Sequence, residues 1–364
     1  MNTQSFNFSA GPSMLPPAVM QKIQEELLNW HNVGASVMEI SHRSADFIAA
    51  AKQATKDFRD LLNIPENYHI LFLPGGSWTQ YAAIPMNLLD DFKSVAYVQT
   101  GYWGKLAANE AARYAPLNLV ANAETRKFTM IPAQDTWKDF SDAAYLHYVD
   151  NETIHGVEFN FIPATKNNVP LVCDMSSNIL SRPFDVSKFG LIYACAQKNA
   201  GISGITIVIV RDDLLKRKKI ETTPSIINYA KQVEKESMLN TPPTFPWYVA
   251  GLVFQWLKQQ GGVAEIAKRN AEKAKKLYDY LDSQQYYVNP VSRDCRSRMN
   301  VIFKLPTPEL DAQFVKESEK QGLIGLKGHR AIGGIRASIY NAMPMAGVEK
   351  LLALMKKFAS VHVI

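Results

Sequence analysis

The sequence lacks a long hydrophobic run and has few cysteines, and both absences limit the class of protein. No apolar stretch approaches the ~18 residues that a membrane-spanning helix needs, and the polar segment Met1–Ser5 does not begin a secretory signal. The three cysteines, Cys173, Cys195 and Cys295, have no spacing typical of metal ligands. An odd number of this kind favours reduced thiols over disulfides or a zinc site. We therefore expect a cytoplasmic protein without a membrane anchor or a bound metal.

The charge distribution argues against a nucleic-acid partner. The net charge is +6, but acidic residues are interspersed with the basic ones, and no known nucleic-acid-binding motif is present. A mildly positive protein is better suited to attract small anionic substrates. With 364 residues, of which 47% are hydrophobic, the chain can bury the cores of one large domain and one smaller domain.

Short apolar runs alternate with helical or loop stretches over the first two thirds of the chain. The runs predicted as strands are His69–Leu73, Ser94–Val98, Leu117–Val120, Ala144–Val149, Leu171–Cys173, Leu191–Ala194 and Ile205–Val210. Apolar residues at helical spacing predict a helix after Pro16-Pro17 and another that begins near Ser44. This alternation predicts the α/β class, with a mostly parallel sheet covered by helices.

A stiff proline turn and a pair of glycines mark a change of domain near residue 260. The turn is Thr241–Pro246, and Gly261-Gly262 opens a long helical pattern. We predict a large domain of residues 16–260 and a smaller C-terminal α+β domain of residues 261–364. The N-terminal segment 1–15 is expected to be part of the smaller domain. The small domain's predicted elements are strands at Tyr286–Val291, Asn300–Leu305 and Gly334–Tyr340, and helices at Glu309–Gln321 and Val348–Phe358.

Lys198 and Asp174 are the residues whose positions indicate chemistry. Lys198 lies between an apolar run and a predicted strand, where loss of water lowers a lysine's pKa and lets the amine form a Schiff base with an aldehyde. An isolated lysine at such a place is otherwise the first solvated residue after a strand. Asp174, however, ends another predicted strand, where a carboxylate can keep a pyridine nitrogen protonated. Together they predict a pyridoxal phosphate enzyme with its site at the carboxyl ends of the strands.

Two further segments could hold such a cofactor. Gly75-Gly76 separates a predicted strand from a predicted helix, so the backbone N–H groups of Gly76, Ser77 and Trp78 could bind a phosphate, although a plain turn is the simpler interpretation. Trp103 follows the next predicted strand, and its indole could stack on a flat ring, although a lone tryptophan is more often part of a core.

Several separate motifs span the chain from residue 7 to residue 341. They are Asn7-Phe8-Ser9-Ala10-Gly11-Pro12, Ile40-Ser41-His42-Arg43-Ser44, Asp174-Met175-Ser176-Ser177 with Ser181-Arg182-Pro183, Ala196-Gln197-Lys198-Asn199, Asn240-Thr241-Pro242-Pro243-Thr244-Phe245 and Gly334-Ile335-Arg336-Ala337-Ser338-Ile339-Tyr340-Asn341. In these residues and in their order, the chain closely resembles the phosphoserine aminotransferase family. The resemblance implies a homodimer of pyridoxal phosphate fold type I.

The resemblance also implies roles in binding the cofactor. Trp103 stacks on the ring, Thr153 bonds near the ring oxygen and Gln197 lies near the phosphate. Asn240 and Thr241 reach the phosphate of the neighbouring subunit, so that the active sites are shared. Ser77-Trp78 departs from a Gly-Arg pair found in some family members, which leaves the side chain of Trp78 without an implied role.

For the substrates, the resemblance implies a set of cations from distant segments. Arg336 takes the substrate carboxylate, and Ser9 lies at the substrate's end. The substrate phosphate, or the side-chain carboxylate of L-glutamate, is surrounded by His42, Arg43, His329 and Arg330. Arginine is suited to this role because its guanidinium binds such groups in a bidentate manner.

The implied reaction moves the amino group of L-glutamate to 3-phosphohydroxypyruvate, giving O-phospho-L-serine and 2-oxoglutarate in serine biosynthesis. A related phosphorylated intermediate of pyridoxine biosynthesis is a further substrate in the family. Two alternatives stay open: another enzyme of the same fold, such as a serine:glyoxylate-type aminotransferase or a cysteine desulfurase, and a nucleotide-binding module without enzymatic activity. The module would explain the glycine turn but not Lys198, Asp174 and the His-Arg pairs together.

Overall fold

The structure, a computed structural model, describes residues 5–362; the predictions for residues 1–4 and 363–364 lie outside the described residues. The α-helices are α1 (Pro17–Glu26), α2 (Ala45–Leu62), α3 (Gly76–Leu88), α4 (Tyr102–Ala111), α5 (Asp212–Leu215), α6 (Tyr229–Glu234), α7 (Thr244–Gln259), α8 (Gly262–Asp282), α9 (Pro308–Lys320) and α10 (Met345–Val361). The strands are β1 (Phe6–Asn7), β2 (Tyr68–Leu73), β3 (Val95–Gln99), β4 (Leu117–Asn122), β5 (Leu146–Val149), β6 (Asn151–Glu152), β7 (Val157–Glu158), β8 (Leu171–Asp174), β9 (Leu191–Cys195), β10 (Thr206–Arg211), β11 (Asn300–Phe303), β12 (Leu323–Ile324) and β13 (Ile335–Ser338).

The seven predicted strands form one sheet in the order β2-β10-β9-β8-β5-β3-β4. Neighbours from β9 to β4 are parallel, whereas β10 is antiparallel to both β9 and β2. The α/β class and the mostly parallel sheet are therefore confirmed. Because β10 reverses direction between β9 and β2, the carboxyl end of β2 lies at the same edge as those of β9, β8, β5 and β3.

Each face of the sheet packs against its own layer of helices. Along β2, Ile70 and Phe72 belong to one apolar cluster, with residues of α2 and α7, while Leu71 and Leu73 belong to another, with residues of α3 and α4. Successive side chains of a strand point to opposite faces, so a continuous apolar run indicates burial on both. This arrangement explains why the central strands show no polar alternation.

Local signals fix the ends of the early helices. Ser44 caps α2 by accepting a hydrogen bond from the Phe47 N–H at 3.2 Å, as its position before the apolar pattern predicts. Pro17 occupies the first turn of α1. The apolar spacing after Pro16-Pro17 continues to Trp30, but the helix ends at Glu26, and Trp30 lies in a separate 3₁₀ turn. In residues 5–362 no helix combines the length and the apolar character needed to cross a membrane.

The C-terminal part has a core of its own around the antiparallel pair β11 and β13. The predicted strands at 300–305 and 334–340 and the two predicted helices are present, but 286–291 is not a strand: it makes a single bridge, from Val288 to Lys304. Asn289 instead turns its amide to Ile302 O at 2.7 Å, which replaces part of a ladder. Helix α8 begins in the large core, through Val263, and ends in the C-terminal core, so the boundary near 260 stays a prediction.

Candidate active site

Five strands of the same direction, β2, β3, β5, β8 and β9, end at one edge of the sheet, and the segments that follow them enclose a cavity of about 170 Å³. Its lining includes residues from the ends of β5, β8 and β9 and from the starts of α3 and α4. The predicted site residues among them are Gly76, Ser77, Trp78, Trp103, Thr153, Asp174, Gln197 and Lys198. The structure thus brings together eight residues that the sequence places in five separate segments.

Lys198 is held by contacts to its side-chain amine and to its backbone carbonyl. Its Nζ donates a hydrogen bond to Thr153 Oγ1 at 2.6 Å and lies 5.9 Å from the centre of the Trp103 ring. Ser13 Oγ donates to the Lys198 carbonyl at 2.6 Å, which ties the N-terminal segment to this loop. Burial lowers the pKa of Lys198, and nearby Arg336 acts in the same direction while Asp174 opposes them. The amine is therefore easier to deprotonate than that of an exposed lysine.

Asp174 is the last residue of β8, between β5 and β9, and only 4% of it is exposed. The Ser176 N–H donates to its Oδ1 at 2.8 Å. Burial raises the pKa of Asp174, although Ser176 and the charge of Lys198 oppose the shift. A buried carboxylate in this position favours a positively charged partner inside the cavity.

Helix α3 begins at the cavity, directly after the glycine turn. Gly75 has φ of 100°, and a side chain there would collide with Thr79, so this position requires glycine. Ser77 donates its N–H to Cys195 Sγ at 3.1 Å, and its hydroxyl lies 3.2 Å from Ser176 Oγ. A helix N-terminus with two hydroxyls can bind a phosphate. Trp78 lines the cavity but is 56% exposed, so its side chain extends to the rim.

Trp103 lies in the first turn of α4, which begins where β3 ends. Its backbone N–H and that of Gly104 donate to Glu152 at 3.1 and 2.8 Å. The Trp103 indole Nε1 is buried and has no hydrogen-bond partner within residues 5–362. An unpaired buried donor is costly, so the described residues leave this N–H with an unmet need for an acceptor.

Arg336 and His329 lie beside the cavity, on the side of the C-terminal core. The Arg336 Nε is buried and has no partner in the described part of the chain, and the charge of Arg336 lowers the pKa of Lys198. The ring of His329 is 5.6 Å from that of Tyr102, the first residue of α4. Burial lowers the pKa of His329, and the charges of Arg336 and Arg330 lower it further. Three predicted cationic residues therefore share one side of the site.

The remaining predicted residues do not line the cavity in one chain. Arg43, Asn240 and Thr241 are exposed, and His42 is half-buried, outside the cavity. Ser9 packs against Gly325, two residues from Gly11, which approaches the side chain of Lys198. A single chain therefore brings together most of the predicted residues but not these five.

Sequence reasoning missed Glu152, His155 and Cys195. Glu152 and His155 accept hydrogen bonds from backbone N–H groups of α4, and Cys195 Sγ accepts one from the backbone N–H of Ser77. A bond to a backbone group leaves little trace in the sequence, since any residue can supply it. The one available signal was Gly101 and Gly104 around Trp103, which indicates a close approach to α4.

Helices on both faces of a mostly parallel sheet, with a lysine and an aspartate at neighbouring strand ends, define a pyridoxal phosphate enzyme of fold type I. The model of the family "Aminotransferase class-V" matches residues 5–351. A curated phosphoserine aminotransferase of Coxiella burnetii is 53% identical over 357 residues, which cover 98% of this chain and 99% of that protein. The chain therefore belongs to the class-V aminotransferases and is a pyridoxal phosphate-dependent transaminase.

Solved structures agree with this membership. Phosphoserine aminotransferase from Bacillus circulans subsp. alkalophilus is 42% identical with a TM-score of 0.95, over 98% of this chain and 99% of that chain. The pyridoxal phosphate-bound phosphoserine aminotransferase from Trichomonas vaginalis is 43% identical with a TM-score of 0.93, over 97% of this chain and 100% of that chain.

Proposed function

We propose that this protein is a phosphoserine aminotransferase, which moves the amino group of L-glutamate to 3-phosphohydroxypyruvate and forms O-phospho-L-serine and 2-oxoglutarate. The observation that carries the proposal is the group of cationic residues beside Lys198, where Arg336 has a buried Nε that no residue of 5–362 pairs with. Both substrates and both products are anions, with a carboxylate next to the reacting carbon. The names of the full-length relatives support the same activity.

We propose that the residues lining the cavity contact the cofactor along its whole length. Asp174 would meet the ring nitrogen, Thr153 would bond near the ring oxygen, and the indole of Trp103 would cover one face. The phosphate would lie at the start of α3, against Gly76, Ser77 and Trp78, with Gln197 beside it. Lys198 would hold the cofactor aldehyde covalently. These assignments give the buried carboxylate of Asp174 a positively charged partner, without which burial of its charge is costly.

The bound cofactor supplies a positively charged ring that withdraws electrons from the substrate Cα. The protein's own groups then do three things. The Lys198 amine takes the proton from Cα of L-glutamate and later delivers one to Cα of the new amino acid, because its lowered pKa leaves it able to accept one. The Asp174 carboxylate keeps a positive charge at the ring nitrogen. Arg336 binds the α-carboxylate, and Ser9 approaches the same end of the substrate.

The substrate phosphate would be bound by the remaining cationic residues. His329 and Arg330 lie on the side of Arg336, and we propose that His42 and Arg43 join them from the second subunit of a homodimer. A phosphate forms charge-assisted hydrogen bonds with such a cluster that the hydroxyl of serine cannot form. The site would therefore discriminate strongly between a phosphorylated substrate and its dephosphorylated analogue.

Arg330→Ala is expected to lower kcat/KM for phosphoserine by ~10²-fold or more while changing that for serine little, since only the phosphate loses a charged partner. Steady-state assays of both amino acids with 2-oxoglutarate measure the difference. Arg293→Ala is the matched control, because Arg293 is 77% exposed and pairs only at the surface, with Asp282. An equal loss for both substrates, or a preference of the unaltered enzyme for serine, would reject the phosphate site and favour another aminotransferase of this fold.

Substitution of Asn240 and Thr241 tests whether the two subunits of a homodimer share their active sites. Both are exposed in the single chain and outside its own cavity, which agrees with a role at the cofactor phosphate of a partner subunit. Inactive Lys198→Ala chains mixed with inactive chains carrying Asn240→Ala and Thr241→Ala should regain activity, because one site of each heterodimer has all its residues. The recovery is measured after refolding the mixture and isolating the heterodimer with two affinity tags. Isolated heterodimers that bind cofactor but stay inactive would show that each subunit completes its own site.

The thiols of Cys173, Cys195 and Cys295 are buried and form no disulfide within residues 5–362, which suits a reducing compartment and a role in cytoplasmic serine biosynthesis. The phosphorylated intermediate of pyridoxine biosynthesis carries the same carboxylate and phosphate groups and is a second candidate substrate. A competition assay against 3-phosphohydroxypyruvate would measure its relative kcat/KM.

A further inference from the structure

Glu152 is a buried carboxylate that the proposed reaction does not use. It has no exposed surface and is the last residue of the short strand β6, which is separated from the end of β5 only by Asp150. Burial raises the pKa of Glu152 to about 7, although the N–H groups of Gly104 and Trp103 oppose the shift. A carboxylate at this depth is expensive, and an ordinary helix cap can be made by an exposed serine or aspartate. The position therefore requires an explanation beyond local stability.

The two carboxylate oxygens of Glu152 accept hydrogen bonds from two backbone N–H groups in the first turn of α4. Its Oε2 accepts from the Trp103 N–H at 3.1 Å, and its Oε1 accepts from the Gly104 N–H at 2.8 Å. The preceding N–H, that of Tyr102, donates to His155 Nδ1 at 3.3 Å. Burial lowers the pKa of His155 to about 4, so the ring is neutral at physiological pH and this nitrogen can accept. The first three N–H groups of α4 are thus bound by one short segment.

Two glycines make this approach possible. A Cβ at Gly101 would lie 2.3 Å from the carboxyl carbon of Glu152, and one at Gly104 would lie 3.2 Å from its Oε1. Neither glycine has a positive φ, so backbone conformation does not explain their presence. The space they leave is occupied by the Glu152 carboxylate.

The same segment also holds the reactive amine. Thr153, the next residue, accepts the hydrogen bond from Lys198 Nζ at 2.6 Å. Trp103 is therefore fixed by residue 152 and Lys198 by residue 153, and the amine lies 5.9 Å from the centre of the indole. Neighbouring residues of one buried segment have little freedom to move independently, so the distance between the indole and the amine is fixed by the backbone from 152 to 153.

We propose that Glu152 is a positioning residue for the reaction: by binding the N–H groups of Trp103 and Gly104, it sets the plane of the indole relative to Lys198 and so fixes the tilt of the cofactor ring. The inference rests on the proposed place of the cofactor between Trp103 and Lys198. It does not depend on which amino acid is the substrate.

Circular dichroism of the cofactor's visible band tests the proposal without any substrate, because the band's sign and intensity depend on the asymmetric contacts around the ring. Glu152→Gln keeps the size of the side chain but presents an amide NH₂ to one of the two N–H groups. We expect a loss of more than half of the band's intensity per bound cofactor, and a rise in the cofactor's Kd of about tenfold or more. Glu152→Ala should have a larger effect in the same direction.

Glu158→Gln is the matched control, since Glu158 is also buried but binds Arg298 and Arg182 rather than α4. It should reduce thermal stability and leave the band per bound cofactor unchanged. A Trp103→Phe background supplies the second test, because phenylalanine keeps the backbone N–H groups but removes the indole. If Glu152 acts through the indole, Glu152→Gln should add little to the effect of Trp103→Phe on the band.

Three results would overturn the proposal: additive effects of the two substitutions, an unchanged band in Glu152→Gln, or an equal loss in Glu158→Gln. If Glu152→Ala does not fold, the glutamine variant alone decides. Failure of the phosphoserine assay would refute the proposed substrates and leave the spectroscopic result intact, so the two failures can be told apart.

Discussion

Lys198→Ala is expected to abolish transamination, with kcat lowered by several orders of magnitude. The substitution removes both the group that would hold the cofactor aldehyde and the base for the substrate proton, and acid-base catalysis alone accounts for ~10²- to 10⁴-fold. Thr153 cannot replace the amine, because its hydroxyl is the acceptor of the Lys198 hydrogen bond and is a weak base. Single-turnover assays with stoichiometric cofactor measure the remaining rate.

The loss should be specific to this amine. Lys268→Ala is the control, since Lys268 is 75% exposed on α8 and pairs with Glu265. The Lys268→Ala variant should turn over substrate as fast as the unaltered enzyme. In Lys198→Ala, borohydride should no longer fix the cofactor to the protein, although some cofactor should still bind through its phosphate. Turnover within tenfold of the unaltered enzyme would exclude Lys198 as the base and move the reaction to another group of the cavity.

The sequence predicted the centre of the site better than its periphery, and the reason is the sheet. Asp174 and Lys198 follow different strands, but strands that are parallel neighbours end at one edge, so recognising the strands was enough to bring the two residues together. The reversed direction of β10 had no signal, because its apolar run has the same composition as a parallel buried strand. It lies beside the site and does not change it.

Contacts between distant backbones could not be predicted. Glu152 binds N–H groups that belong to no particular residue type, and its sequence context, Asn151-Glu152-Thr153, gives no sign of burial. The predicted strand at 286–291 was wrong for a related reason. Its apolar residues favoured a strand, but a hydrogen bond from the Asn289 side-chain amide to Ile302 O takes the place of a backbone hydrogen bond between strands. His42, Arg43, Asn240 and Thr241 lie outside the single chain's cavity, so a chain on its own cannot test their roles.

Asp174→Asn is expected to be nearly as damaging as loss of the lysine. Asparagine has almost the same shape and can still accept the 2.8 Å hydrogen bond from the Ser176 N–H through its amide oxygen, so the fold at the end of β8 should survive. An amide carries no charge, however, and cannot keep the ring nitrogen protonated. The electron-withdrawing power of the ring then falls at the step in which Lys198 removes the Cα proton. We expect kcat to fall by ~10²-fold or more, with a smaller change in KM.

The measurement should separate charge from stability. Asp57→Asn is the control. Asp57 lies on α2 and is also buried, at 3% exposure, but it pairs with Lys258 of α7 at 2.7 Å, away from the cavity. Asp57→Asn should lower the free energy of unfolding and leave kcat unchanged. Asp174→Asn should lower kcat and leave the free energy of unfolding nearly unchanged. A deuterium isotope effect at Cα should also grow in Asp174→Asn, because proton removal becomes slower than the other steps. If Asp174→Asn kept most of the turnover and only melted earlier, Asp174 would be a structural residue of the strand end, and the charge at the ring nitrogen would have to come from elsewhere.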